Sequence, residues 1–371
     1  MTVHRPDDRP RLSFLTPAYR TEAYLAATIS SVLAQTSPDW ELVVVDNGKS
    51  DEIASIVRSF SDDPRVRLVR QENRGYAGGV MAAAAVARGD WFSVLDSDDE
   101  VMPEFTARVL DVLDRHPSAD AVGCDAYLVL DGDERPVRQS LLESIGSPPP
   151  GRGGDVLTVE EVLAGRVPYY TGAVRRSAWQ AVGGYQPDVE SDVLMWLRLA
   201  HDFEVRLVPD KLGRYRVRDQ SLSRHPDKVE QFENSLIRTF EMFAEQSGDP
   251  RHLLIVQTPV RRLRYFQALR RARQAFVDGD IEAARGFTRD ARAQRSTLRV
   301  QAILLLLQCA PGLLTRLRPL KQQLAEQGHR TRQRVLGWGS PLSPPVRAGS
   351  GPDGAQRRGQ LRDRRRGSVG P

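Results

Sequence analysis

The sequence predicts an α/β fold: a mostly parallel central sheet flanked by helices, followed by a helical C-terminal region and a disordered tail. Three observations carry this. Short apolar runs alternate with helix-length amphipathic stretches from Arg11 to Leu95, several of those runs are apolar without interruption, and beyond about Asp227 the spacing is helical throughout. With 371 residues and 40% apolar content the chain can bury one large core or two smaller ones.

Taken in order, "LSFLT", "ELVVVD", "VRLV" and "WFSVLD" read as strands, and "EAYLAATISSVLAQT", "DEIASIVRSF" and "GGVMAAAAVARG" as the helices between them. The continuous apolar character of "LVVV" and "FSVL" predicts strands covered on both faces. In such sheets ligands gather outside the carboxyl ends of the strands, and three of these ends are polar: Thr16-Pro17-Ala18-Tyr19, Asp46-Asn47-Gly48 and Asp96-Ser97-Asp98-Asp99. Residues 131–168, rich in Gly, Pro and charge, read as a loop excursion over one sheet edge. "VPYYTGAVRRSAWQAVGGY" predicts a strand, a short helix and a Gly-Gly turn. "ESDVLMWLRLAH" predicts a helix through Val193, Leu194, Leu197 and His201 with Asp192 in its first turn. "FEVRLVP" and "LGRYRV" read as two closing strands.

The expected organisation is a flexible N-terminus (1–10), an α/β body (11–225, with halves 11–100 and 101–225), a helical region (226–336) and a disordered Arg/Gly/Pro-rich tail (337–371). Within the helical region two helices meet at "DGD" in a hairpin like a single tetratricopeptide-type unit. The apolar stretch from Leu298 is interrupted by Pro311, short of the ~20 residues that span a bilayer. Charge divides the same way. Residues 1–250 hold 28 Lys+Arg against 41 Asp+Glu, a net −13, and residues 251–371 hold 25 against 7, a net +18. A basic end seeks an anionic partner, here an anionic membrane surface through residues 298–335; interleaved aromatics for base stacking are missing, which speaks against nucleic acid. Cys124 and Cys309 form no metal-ligand or redox pattern, and the N-terminal stretch carries no secretory signal, so the expected residence is cytoplasmic, at the inner face of the cell membrane.

"FSVLDSDDEVMP" delivers Asp96, Asp98, Asp99 and Glu100 to the end of a core strand. Clustered carboxylates repel unless a cation or donors offset them. One explanation is a solvated acidic turn that caps the next helix. The other is a divalent cation held by one or two carboxylates with positions left for substrate phosphates. Gly75, Gly78 and Gly79 form G-x-x-G-G, which excludes a dinucleotide fingerprint. Glycoside hydrolysis needs two carboxylates flanking a scissile bond, whereas these are paired as for a metal.

In order, "LSFLTPAYR", "SVLAQT", "WELVVVDNGKSD", "NRGYAGG", "RGDWFSVLDSDDEVMP", "TGAVRRSAWQAVGGY" and "SDVLMWLRLA" make residues 11–222 resemble the family 2 glycosyltransferases. The resemblance implies a GT-A fold, of the nucleotide-diphospho-sugar transferase kind, and inverting transfer of a sugar from a nucleotide-sugar, with a UDP-sugar the expected donor, to a hydroxyl of a saccharide or lipid-linked acceptor. It implies that Thr16, Pro17 and Tyr19 hold base and ribose, that Asp46 and Asn47 lie at the base, and that Arg74 lies near the diphosphate. Asp96 and Asp98 would meet the donor, Asp98 and Asp99 a Mg²⁺ or Mn²⁺, and Asp192 would be the base. Four residues depart from the family pattern: Asn47 and Ser191 stand where it has acids, and Val80-Met81 where it often has Asn. Tyr170, Thr171 and Gly172 would line the acceptor side, Arg218, Asp219, Gln220 and Ser221 a loop over donor phosphate, and Trp196 and Arg198 would pack. The Q-x-x-R-W signature of processive members is missing, which implies single transfer. The competing expectation is a non-catalytic scaffold whose basic C-terminus binds membrane or nucleic acid.

Overall fold

The structure, a computed structural model, describes residues 9–144, 147, 151, 155–166, 171–218 and 229–309. The first half alternates without exception: β1 (Leu12–Ala18), α1 (Glu22–Leu33), β2 (Trp40–Asn47), α2 (Asp51–Arg58), β3 (Val66–Gln71), α3 (Gly75–Val86), β4 (Trp91–Val94). These strands pair in parallel in the order β3-β2-β1-β4, and every residue of β1 and β2 is buried. Uninterrupted apolar strands require cover on both faces, and the helices of the crossovers supply it.

The second half mixes directions. It comprises β5 (Glu100–Val101), α4 (Phe105–Arg115), β6 (Ala121–Leu130), β7 (Asp133–Ser140), α5 (Leu141–Ser144), β8 (Asp155–Val156), α6 (Val159–Leu163), β9 (Ala173–Arg175), α7 (Arg176–Ala181), α8 (Ser191–Asp202) and β10 (Val205–Val217). The sheet continues β4-β9-β6-β10-β5, with β9 antiparallel to both β4 and β6 and β10 parallel to β6.

Two sequence expectations change here. Residues 131–168 are more than a loop excursion: Asp131-Gly132 is a two-residue turn, with Gly132 at φ 78°, that folds β7 back onto β6, and α6 is closed by a Thr158–Glu161 capping box. Gly and Pro density hid a hairpin whose turn signal was local. The two closing strands are one, β10, with register irregularities between Leu207 and Gly213; Pro209, which has no N–H for the ladder, lies inside that interval.

The C-terminal helices are α9 (Val229–Gln246), α10 (Pro250–Ile255), α11 (Gln257–Val277), α12 (Ile281–Gln294) and α13 (Leu298–Cys309). One continuous core runs from Leu12 to Leu263, so α9, α10 and the start of α11 pack on the α/β body through Ile237, Phe240, Phe243, Val256 and Val260. The rest of α11 with α12 and α13 holds two small clusters of its own, around Tyr265 and Ala275. Among the described residues no helix is long and apolar enough to cross a membrane. Residues 1–8 of the expected N-terminus (1–10), the last part of the expected helical region (310–336) and the whole expected tail (337–371) lie outside the described residues.

Candidate active site

The acids arrive on a strand that the core makes rigid. Phe92, Val94 and Leu95 are buried, and the chain then turns through Asp96-Ser97-Asp98, closed by the Asp99 N–H donating to the Asp96 carbonyl at 3.1 Å. Ser97 is tied down by the Thr21 hydroxyl at 2.8 Å. The carboxylate oxygens of Asp96, Asp98 and Asp99 consequently lie within 4.8 Å of one another. Three hard oxygen donors at that spacing fit a Mg²⁺- or Mn²⁺-sized cation.

Two arginines share the turn, Arg216 on β10 and Arg218 just beyond its end. Arg218 pairs with the Asp98 carboxylate. The Arg216 N–H donates to Asp99 Oδ1 at 2.6 Å, its Nε to the Asp98 carbonyl at 3.1 Å, and its guanidinium to Glu100 at 2.9 Å. Both guanidinium groups sit over the Tyr24 ring, at 5.3 and 5.2 Å, and the Tyr24 hydroxyl donates to Asp131 at 2.9 Å. The acidic turn is therefore held by cationic partners, and its acids do not cap α4, whose N-cap, Glu104, makes no side-chain cap bond.

Burial dominates the electrostatics. Desolvation, then the neighbouring Asp98 charge, raises Asp96 to about 7, although the Tyr76 hydroxyl donates to it at 2.6 Å. Desolvation also raises Asp98, opposed by Arg218. Asp192 is the second residue of α8, its Oδ1 accepting the Val193 N–H at 2.8 Å, and burial raises its pKa from the ordinary value. Its charge bears on Asp96, Tyr76 and Tyr185, so α8 presents this acid to the β4 turn. Tyr185 stacks on Trp179 at 5.4 Å and meets Tyr76 at 5.9 Å, an aromatic wall between the two sets of acids.

The other candidates divide. Tyr19 is exposed with its ring against Gly48, where a Cβ would come within 3.0 Å, so the ends of β1 and β2 do meet. Thr16 is wholly buried with no partner for its hydroxyl among the described residues, and Pro17 underlies Gly79, whose absent side chain lets α3 approach within a would-be 2.8 Å. Asp46 is fully buried and accepts from Arg70 Nε and from the Ser50 N–H, both at 2.9 Å. Asn47 accepts from Gln71 at 2.8 Å and the Arg74 N–H at 3.2 Å, and donates to the Gly75 carbonyl at 2.8 Å. An Asp there could not make that last bond, which explains the amide in this chain. Arg74 itself is exposed beside this loop. Thr171 and Gly172 are buried, Gly172 facing Trp196, while Tyr170, Asp219, Gln220 and Ser221 lie outside the described residues.

Sequence reasoning missed Tyr24, Tyr76, Tyr185, Arg216 and Glu190. For the arginines a signal existed: Arg214, Arg216 and Arg218 alternate in "GRYRVR" and so share one face of a strand, the face that β10 turns to the acids where Arg214 pairs with Glu100 in register. Glu190 stands at the N-cap position of α8 without a side-chain cap bond, its N–H donating to the Thr239 hydroxyl at 2.9 Å and its carboxyl raised by burial to about 7. Nothing in its local sequence announces that burial, which α9 creates.

Residues 13–170 match the sequence profile of glycosyl transferase family 2. The succinoglycan biosynthesis protein ExoO of Rhizobium meliloti is 37% identical over 127 residues, 34% of this chain and 36% of that protein. Chondroitin synthase of Escherichia coli is 33% identical over 103 residues, 28% and 15% respectively. Across four curated relatives the matched stretch covers 15% to 40% of their length. Among solved structures, S. aureus TarS 1-349 in complex with UDP-GlcNAc aligns with TM-score 0.54 at 17% identity, covering 80% of this chain and 85% of that one. The mannosyltransferase PcManGT from Pyrobaculum calidifontis in complex with GDP-Man and Mn²⁺ aligns with TM-score 0.51 at 19% identity, covering 86% and 84%. These two likenesses show the shared GT-A fold. Over residues 13–170, from the first strand past the acid cluster, the α/β body is thus similar to glycosyl transferase family 2.

Proposed function

We propose that the chain is an inverting glycosyltransferase that moves a sugar from a nucleoside-diphosphate sugar to a hydroxyl of a saccharide or lipid-linked acceptor, in cell-envelope polysaccharide or glycolipid assembly. The observation that carries this is the convergence of Asp96, Asp98 and Asp99 within 4.8 Å, with the half-buried carboxyl of Asp192 close enough for its charge to bear on Asp96. ExoO and chondroitin synthase carry polysaccharide construction in their names, which supports the acceptor class.

Asp98 and Asp99 would hold Mg²⁺ or Mn²⁺, which when bound supplies positive charge to the departing nucleoside diphosphate. Thr16, Pro17 and Tyr19 line one side of the base and ribose site and Asp46–Asn47 the other, with Arg74 toward the diphosphate and Asp96 toward the ribose and sugar. Asp192, raised by burial, is the stronger base for it, and takes the acceptor's proton as the hydroxyl attacks the anomeric carbon. One C–O bond forms as the bond to phosphate breaks on the opposite face, and its electron pair leaves on the diphosphate. The donor base expected is uracil. Exposed Leu298 and Leu305 on α13, with Arg295 and Arg299 exposed beside them, support docking of the C-terminal helices on an anionic membrane; the residues of that surface beyond 309 lie outside the described ones.

The test is turnover of a panel of UDP- and GDP-sugars with Mn²⁺, with chelator, and with Asp98→Asn. Release of nucleoside diphosphate that vanishes in the last two conditions is expected. Undiminished turnover with chelator, or no donor turned over at all, would overturn the proposal.

A further inference from the structure

We propose that Arg218 is the resting counter-ion of the acid cluster and that the cation takes its place only when a nucleoside diphosphate arrives to receive the freed guanidinium. This rests on the glycosyltransferase reading and adds to it a coupling between cation and donor within one site.

The guanidinium of Arg218 holds Asp98 and lowers the cost of the charge on Asp96. Asp99 already accepts the Arg216 N–H, and Glu100 already accepts the Arg216 and Arg214 guanidinium groups. Asp98 is thus the carboxylate whose counter-ion must leave before a divalent ion can be held there. A bare cation entering this turn would leave Arg218 beside a divalent like charge, with the Tyr24 face at 5.2 Å to offset it among the described residues. A diphosphate changes that balance, because a guanidinium released from a carboxylate can grip phosphate oxygens with two parallel donors. Arg218 is half prepared for this: its Nε, shielded from solvent, has no acceptor among the described residues. A buried donor without a partner is costly, and a phosphate oxygen is an acceptor of the right charge. Arg216 cannot do the same work, since its bonds run to backbone and to Glu100.

Coupling of this kind is reciprocal, so the cation must raise nucleotide affinity by the factor that nucleotide raises cation affinity. The experiment is Mn²⁺ titration, read from the electron paramagnetic resonance signal of free Mn²⁺, on the wild-type full chain, Arg218→Gln and Arg218→Lys, each alone and with saturating UDP or GDP. Arg218→Gln should hold Mn²⁺ alone at least fivefold tighter than wild type, and UDP or GDP should raise its Mn²⁺ affinity by a smaller factor than in wild type. Arg218→Lys, which keeps the charge and loses the fork, should resemble wild type without nucleotide and Arg218→Gln in its reduced response to nucleotide. Equal Mn²⁺ affinities in wild type and Arg218→Gln, with an equal response to nucleotide, would overturn the counter-ion role and leave the metal-assisted transfer intact. Absence of Mn²⁺ binding in every protein even with nucleotide would overturn both.

Discussion

At the end of β2 the buried Asp46 carboxylate meets Arg70 and the Ser50 N–H, and the Asn47 amide meets Gln71, Arg74 and Gly75, whereas at the end of β4 three carboxylates converge and burial raises two of them, Asp96 and Asp98. Both strands carry the same pattern, an apolar run closing on acids, and they lie one strand apart in the same sheet. The difference lies in what the neighbours offer. The β2 end is surrounded by donors from α2, β3 and the start of α3, so its polar atoms form a closed knot that holds the loop before α3. The β4 end faces another acid, Asp192, and burial there penalises charge that a ligand could relieve. A strand ending in acids therefore has its charge met by protein donors or left for a ligand to relieve, according to the donors brought to it, and in this molecule the two cases stand side by side.

The contrast can be broken first at its chemical side. Asp192→Asn is expected to lower donor turnover by roughly 10²–10⁴-fold, the contribution of a positioned base, with no loss of stability, because it removes a buried charge. A fall of less than tenfold in initial rate at saturating donor would take the role of base away from Asp192. The knot should respond in the opposite currency. Asp46→Ala leaves the Ser50 N–H at the α2 cap unmet and should cost roughly 1–3 kcal/mol in urea unfolding, while Mn²⁺ affinity without nucleotide changes little.

A third prediction sharpens the electrostatic side through pH. The Glu190 carboxyl, raised by burial from 4.5 to about 7, keeps in the folded state a proton that the unfolded chain releases between those values. Its contribution to stability is thus greatest below about pH 4.5 and declines as pH rises to about 7. Glu190→Gln should match wild type at pH 4.5 and exceed it by about 1–2 kcal/mol at pH 8, after allowance for partial solvent screening; equal urea midpoints at both pH values would show that Glu190 is ionised without penalty. The smallest effect belongs to Asn47→Asp, which restores the family's acid but sets a carboxylate against the Gly75 carbonyl. A loss of about 1 kcal/mol is expected, and a gain would mean that the loop before α3 rearranges around the acid.

Much of the body was legible in order. The parallel half was readable because its signal is local, with "LVVV" and "FSVL" demanding cover on both faces and the intervening helices long enough to provide it. The acid turn and the α8 acid were readable by residue type. What escaped was everything that depends on distant neighbours. Asp46 and Asp98 read alike as ends of strands, and only Arg70 on β3 and Arg218 after β10 tell them apart. Pro209 looked like a strand end, yet β6 carries the ladder past it. The hairpin at Asp131-Gly132 was a local signal passed over because the composition around it resembled a loop.

The sequence by itself determined the alternation of strand and helix, the placing of acids where strands run out, and the basic face of β10, since each follows from residue type and from periods of two or 3.6 that involve no partner. The tertiary structure alone decided which acids stay disturbed, which find a donor, and that Asp192 and Glu190 are brought out of water by elements far along the chain. Burial and charge pairing are sums over neighbours in space, and a one-dimensional string does not contain those distances.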